Sequence, residues 1–332
     1  MRAIVCDVHG DVGGLHAGEA PAPTPAPDEV VIDVAAAGVN FADTLMVAGT
    51  YQATPPLPFT PGMEVAGTVA AVGDDVHGVT PGERVLAILE AGGFAEQATA
   101  KARDVFAIPA SLDFPTAAGF PITYGTAHGA LVWRAGLRPG ETLLVHGAAG
   151  GAGLAAVEVG KALGARVIAT AGGPEKCAVA AAHGADRTID YRADDLRTAV
   201  KGLTEGRGAD VVFDPVGGDA FDASLRCTAW SGRIVVIGFA SGRVPQAPAN
   251  IVMVKNLSIL GLYWGSYRRH APELVRRQFA ELFRWHDNGL LHPLVGETFP
   301  LDAAPHALAR LQRRESRGKT VLLTDADTPP AQ

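Results

Sequence analysis

The stretch from Thr142 to Ala171, TLLVHGAAGGAGLAAVEVGKALGARVIATA, constrains this chain more than any other. An apolar run of strand length, Thr142–His146, leads into glycines at Gly147, Gly150, Gly151 and Gly153. Leu154, Ala155, Val157, Val159, Ala162 and Leu163 then recur at helical spacing. Gly164 is placed to end that helix, and Arg166–Thr170 reads as a second buried strand. Strand, glycine turn, helix and strand make a βαβ unit. Glycine permits the sharp turn and lets backbone N–H groups come close to an anion. The helix behind the turn offers unpaired N–H groups and the positive end of its dipole, so a pyrophosphate bound there supplies the missing partners. The spacing Gly147-x-x-Gly150-x-x-Gly153 departs from a strict GxGxxG. What separates it from an ordinary glycine-rich turn that binds nothing is its context, with a strand before and a helix after.

The remaining sequence has the size and composition of a two-domain protein. At 332 residues, 48% of them hydrophobic, it can fill two cores. A net charge of −7 and the lack of a basic run argue against nucleic acid as a partner. Cys6, Cys177 and Cys227 form no metal-binding spacing and no even set for a disulfide framework. The opening MRAIVCDV reads as a strand rather than a signal peptide, and no apolar run reaches membrane-spanning length. A soluble, cytoplasmic protein with no membrane partner is expected, its polar tail Asp325–Gln332 frayed.

Residues 1–125 read as β-rich. Ala3–Val5, Glu29–Ala36, Val65–Val72 and Arg84–Leu89 are short β-prone runs between Gly, Pro and Asp turns, a pattern that suggests a small barrel or sandwich. Thr116–Ala130 reads as helix broken near Pro121. Thereafter strands and helices alternate. Strands are expected at Thr142–His146, Arg166–Thr170, Thr188–Asp190, Asp210–Asp214, Arg233–Gly238 and Leu257–Leu262, with helices at Lys176–His183, Leu196–Leu203 and Ala220–Thr228. Such alternation predicts a doubly wound parallel sheet. Beyond Tyr263 the spacing predicts an amphipathic helix over Pro272–Asp287, with Leu274, Phe279, Leu282 and Phe283 on its apolar side. A second helix over Leu301–Arg313 and a strand at Val321–Thr324 follow.

Several motifs stand in a fixed order: Val39-Asn40-Phe41-Ala42-Asp43, Gly49-Thr50-Tyr51, Pro61-Gly62-Met63-Glu64-Val65-Ala66-Gly67, Pro81-Gly82-Glu83-Arg84-Val85 and then HGAAGGAG. Together they resemble the zinc-free quinone oxidoreductases of the medium-chain dehydrogenase/reductase superfamily, the zeta-crystallin-like branch, over roughly residues 1–323. The resemblance implies an α/β fold. Residues 1–125 would form a GroES-like catalytic domain to which 263–332 return, and 126–262 a Rossmann NADPH-binding domain. It further implies NADPH as cofactor and a homodimer formed along Leu257–Leu262. Zinc-dependent relatives hold a catalytic zinc through a Cys near the first motif and a His-Glu pair near the second. Here those places offer Asn40, Asp43, Met63 and Glu64. No metal is expected, and Glu64 takes a structural role, accepting backbone or Arg hydrogen bonds.

The same resemblance distributes the site residues. Ala149, Gly150, Gly151 and Gly153 line the pyrophosphate. The second strand ends Thr170-Ala171-Gly172-Gly173 without an acid at its tip, whereas NAD-binding folds place an Asp or Glu there for the ribose 2′-OH. A 2′-phosphate fits beside Gly172, met by Lys176, Tyr191 and Arg317, although Glu175 next to Lys176 weakens the preference. Asn40, Asp43 and Tyr51 are the catalytic candidates. Asn40 would hydrogen-bond the cofactor and Asp43 orient its neighbours or cap a helix. Tyr51 would donate a proton or merely cap the pocket. Thr126, Gly238 and Phe239 would touch the nicotinamide, while His146 reads as a packed strand-end residue. The acceptor is a small-molecule quinone or an activated alkene, such as an enone or enoyl thioester. A protein that binds NADPH without turnover is the remaining alternative.

Overall fold

The computed structural model describes residues 1–324; the tail Asp325–Gln332 lies outside the described residues. Two compact units make up the chain. One comprises Met1–Ile122 and the segment from Pro293 onward, the other Thr123–His292.

The second unit is built on a six-stranded parallel sheet. In chain order its strands are Thr142–Val145, Arg166–Ala171, Arg187–Asp190, Ala209–Asp214, Thr228–Val236 and Ser258–Gly261. Their order across the sheet is third, second, first, fourth, fifth, sixth. The direction of winding therefore reverses beside the first strand, the place where doubly wound sheets bind ligands. Helices cover both faces, so the strand interiors are continuous apolar runs: Leu143, Leu144, Val167, Ile168, Val211, Val212 and Phe213 are all fully buried. Gly160 lets helix Gly151–Ala162 settle on the sheet, since a Cβ there would stand 2.5 Å from Leu143 Cδ2. The same helix carries a buried acid. Glu158 Oε2 accepts from Tyr124 Oη at 2.7 Å and from the His292 backbone N–H at 2.8 Å, and Oε1 lies 2.5 Å from His183 Nδ1.

The first unit is organised by the eleven-residue strand Glu29–Val39. It pairs with Glu64–Val72, with Gln97–Lys101 and, near its end, with Lys319–Leu323. The register with Glu64–Val72 slips twice, at Val31/Ile32 and Val34/Ala36, as a strongly bent sheet requires. Gly67 sits at such a close approach, where a Cβ would come within 2.0 Å of Asp33 O. Val295–Pro300 lies parallel to Lys319–Leu323, with helix Ala304–Gln312 between them in sequence. Thr320 stands opposite Val39, so the C-terminal strand begins beside the first sequence motif.

The expected strands and helices are present with boundaries shifted by a few residues, and the structure adds elements that were not expected, among them the strands Gln97–Lys101 and Val295–Pro300. A helix, Phe41–Val47, occupies the first motif. The helix broken near Pro121 is present as Phe114–Ala118 and Pro121–His128, but it runs on into a π-helical turn at Gly129–Arg134 that was not expected. The return to the first unit falls at Pro293, not at Tyr263. Helix Pro272–Asp287 stays with the second unit because its buried face is Val275, Gln278, Phe279 and Leu282, one residue round from the expected stripe at Leu274. Gln278 explains the rotation. It accepts from Trp264 Nε1 at 3.0 Å, donates to Gly125 O at 2.9 Å and lies 3.1 Å from His128 Nδ1. Gln278→Ala strands those buried groups and is expected to destabilise the protein by about 2 kcal/mol or more. A denaturant midpoint unchanged from the wild type would contradict this.

Candidate active site

The turn after the first strand is shaped by Gly147, whose φ of +60° suits glycine. Gly150 caps the following helix, and its N–H donates to Gly147 O at 3.0 Å. The first intrahelical bond runs from Leu154 N–H to Gly150 O, so the N–H groups of Gly151, Ala152 and Gly153 precede it and point out of the helix end. Gly153 allows the helix to approach at all: a Cβ there would be 2.2 Å from Gly147 O. Three of the four glycines thus have separate mechanical duties, and the result is a row of donors at a helix N-terminus on the edge where the sheet reverses.

The tip of the second strand lies beside that of the third. Asp190 Oδ1 accepts from Gly173 N–H at 2.9 Å and from Arg192 N–H at 3.0 Å. These two backbone donors hold its carboxyl below the usual range, so the nearest acid is tied to the loop. Gly172 is roofed by side chains. A Cβ there would meet Tyr191 Oη at 2.6 Å and Arg192 Nε at 3.0 Å. Lys176 is half-buried in the first turn of helix Pro174–Ala182. The structure thus gathers Gly172, Lys176 and Tyr191 on neighbouring elements. It adds Arg192, which the sequence reading missed although it adjoins Tyr191. Arg317 belongs to the other unit.

On the same edge, the loop after the fifth strand packs on the turn after the fourth. Ala240 N–H donates to Pro215 O at 3.1 Å, and a Cβ on Gly217 would lie 3.1 Å from Phe239 Cδ1. Gly238 and Phe239 are in this loop, and Thr126 is buried in helix Pro121–His128. His146 is a packed strand-end residue. Its Nε2 lies 2.7 Å from Ser224 Oγ, whose own proton goes to Ala220 O, so Nε2 carries the hydrogen and Nδ1 accepts from Thr170 Oγ1.

In the first unit, Asn40, Asp43, Glu64 and Lys319 form one buried cluster. Asn40 is the N-cap of helix Phe41–Val47, and its N–H donates to Asp43 Oδ2 at 2.7 Å, half of a capping box. Asp43 therefore stands at the third helical position, not at the cap. The Asn40 Nδ2 donates to Glu64 Oε1 at 2.8 Å, and Lys319 Nζ donates to Asn40 Oδ1 at 2.6 Å. The ammonium is also 2.6 Å from Glu64 Oε1, and Glu64 Oε2 accepts from Ile122 N–H at 2.8 Å. Glu64 accepts a backbone hydrogen bond as expected, and its cationic partner is a lysine where an arginine was expected. Burial pushes the Asp43 carboxyl up to about 7, against the opposing Asn40 N–H and Lys319. Tyr51 is half-buried and packs against the core of this unit.

This cluster does not fit a zinc ion. Zinc takes three or four N, S or O ligands around an open centre. Here Met63 offers only a thioether, and the Glu64 carboxylate is already bonded to a fixed cation, an amide and a backbone N–H. Among the described residues no three His, Cys, Asp or Glu side chains come together to hold a metal.

The Asp43 environment makes stability depend on pH. A carboxyl with its pKa raised on folding contributes stability below its unfolded value, about 3.9, and loses it as pH rises through about 7. Asp43→Asn keeps an oxygen for the Asn40 N–H and removes the titration. The stability of the wild type relative to this variant should fall as pH is raised from about 4 to about 8. Thermal or denaturant midpoints whose difference stays flat across that interval would contradict it.

Comparison with known proteins supplies the family. Residues 26–110 match the alcohol dehydrogenase GroES-like domain, and residues 151–281 match the zinc-binding dehydrogenase family. A quinone oxidoreductase-like protein 2 homolog of Nematostella vectensis is 43% identical over 299 residues, covering 89% of this chain and 82% of the relative. The crystal structure of Escherichia coli quinone oxidoreductase complexed with NADPH superposes with a TM-score of 0.91 at 32% identity, over 97% of this chain and 100% of that one. The CurK enoyl reductase structure gives a TM-score of 0.88 at 29% identity, over 97% and 99%. On identity and coverage together, the chain is an oxidoreductase belonging to the quinone oxidoreductase family of the medium-chain dehydrogenase/reductase superfamily.

Proposed function

We propose that this protein oxidises NADPH and passes the reducing equivalents to a quinone without a metal. The observation that carries the reading is the donor row of Gly151, Ala152 and Gly153 at the sheet's reversal point, with Gly150 and Ala149 leading into it. NADPH rather than NADH is supported by the second strand tip: the atoms nearest a Cβ on Gly172 belong to Tyr191 and Arg192, the Asp190 carboxylate is bonded to backbone N–H groups, and Lys176 stands in the first turn of the helix that follows. Arg317 is a further candidate for the phosphate. When bound, the reduced nicotinamide supplies a hydride. The chain's own residues bind, orient and exclude water. Thr126, Gly238 and Phe239 contact the nicotinamide end, Asn40 holds the cofactor by a hydrogen bond, and Asp43 fixes Asn40 through the capping bond. A quinone that accepts the hydride gains two electrons and one hydrogen in this way, and takes the one further proton of the hydroquinone from water.

A second reading, reduction of an enone or enoyl thioester, is favoured by the likeness to the CurK enoyl reductase. That chemistry needs a proton at the carbon α to the carbonyl, and Tyr51 is the candidate donor. The protein acts in the cytoplasm as a homodimer on this reading. The dimer is supported by the sixth strand, Ser258–Gly261, which ends its sheet, and by Met253 and Val254, 71% and 70% exposed on the adjoining helix. No helix among the described residues is long and apolar enough to cross a membrane.

Loss of NADPH absorbance with a panel of small quinones, enones and enoyl thioesters tests the function. Turnover of quinones is expected, and NADPH binding without turnover of any acceptor would reduce the protein to a binder. Tyr51→Phe should leave quinone turnover intact and abolish enoyl reduction if that is the true activity. Lys176→Ala and Arg192→Ala should each narrow the NADPH preference by about tenfold, as loss of one charge-assisted hydrogen bond implies. Equal wild-type kcat/KM for NADPH and NADH would refute the phosphate site.

A further inference from the structure

The buried lysine of the first unit has no assigned role. Lys319 opens the C-terminal strand, is 6% exposed and lies next to Thr320, the partner of Val39. Room has been made for it. A Cβ on Gly119 would stand 2.5 Å from Lys319 Cγ, and a Cβ on Gly38 would stand 2.5 Å from Glu64 Oε1. Gly119 therefore clears space for the lysine stem, and Gly38 for both the Ala118 carbonyl, 2.4 Å from its Cβ position, and the Glu64 carboxylate, at a place where charge is costly to bury even when it is paired. The ion pair does one thing that apolar residues cannot. The ammonium can only donate and the Glu64 carboxylate can only accept, so the Asn40 amide between them has one permitted orientation: Oδ1 toward Lys319 and Nδ2 toward Glu64. With the Nδ2 group donating to Glu64 Oε1 at 2.8 Å and to Gly38 O at 3.4 Å, the hydrogen-bonding capacity left on Asn40 lies on its acceptor Oδ1.

We propose that Lys319 is a positioning residue that presents Asn40 to the cofactor as a hydrogen-bond acceptor, for a donor such as a ribose hydroxyl or the carboxamide N–H group. The proposal rests on the reading that Asn40 meets NADPH. Lys319 acts through Asn40 and does not itself touch the reacting atoms.

The test separates orientation from simple charge balance. Lys319→Met leaves Glu64 without its cation. Lys319→Met combined with Glu64→Gln removes both charges and restores a neutral buried site. The amide introduced at position 64 then presents both a donor and an acceptor to Asn40, so the Asn40 amide is free to flip. Thermal stability, the NADPH Kd by fluorescence titration and kcat with a quinone are measured for the wild type and both variants. The expected result is a stability loss in Lys319→Met that the double variant regains, with the NADPH Kd raised about tenfold in both, as loss of one hydrogen bond of this kind implies. A double variant that regains stability together with wild-type Kd and kcat would overturn the proposal, leaving Lys319 a counterion only. An unchanged Kd in Lys319→Met would do the same. Failure of the wild type to bind NADPH would instead sink the functional reading, so the two failures are told apart.

Discussion

A single close approach, between Gly153 and the carbonyl of Gly147, sets the geometry on which the cofactor end depends. The helix can start against the turn only because the third residue of that helix lacks a side chain. Moved outward by one methyl group, the helix would lose its seat on Leu143, and its first N–H groups would no longer face the edge where the sheet reverses. Gly160, further along the helix, serves the same contact from below. The binding turn and the packing of the central helix are thus one arrangement, and neither glycine is free to be optimised for the other's purpose.

The two units solve the problem of a central strand differently. In the second, the inner strands are apolar and buried, and polar groups gather at strand tips, where Asp190 and Asp214 bind backbone. In the first, the bent strand Glu29–Val39 ends in a polar cluster. Glu64, Asp43, Asn40 and Lys319 supply one another's partners where the strands cannot. The cost of burying these charges is met by their mutual bonds and by the orphan N–H of Ile122.

Sequence alone revealed the second unit well because its signals are local. Continuous apolar runs, glycine turns and helical spacing named all six strands, and the amphipathic stretch located the helix around Pro272–Asp287. What escaped was long-range. Lys319 sits in a Gly-Lys-Thr run that reads as a strand start, and nothing nearby shows that it reaches Asn40 across 279 positions of sequence. Arg192 was hidden in a loop whose direction is set by Asp190. Val295–Pro300, with Gly, Glu and Pro among its six residues, carries almost no strand signal and is held by its partner Lys319–Leu323. The rotated face of Pro272–Asp287 failed for a related reason: a hydrophobicity pattern does not anticipate that a glutamine will be the most deeply committed residue of a helix.

Glu158 bears on how such a chain can be assembled. Tyr124 and His292, which meet on one oxygen of that carboxylate, lie at the two points where the backbone passes from one unit to the other. The ends of the inserted unit are therefore fastened to each other from within. Such an insert closes its own loop, and its host is spared the entropy of bringing two distant cut ends together. In evolutionary terms, a nucleotide-binding module with self-joined termini is portable: it can be grafted into a β-rich host at a single site without redesign of either sheet.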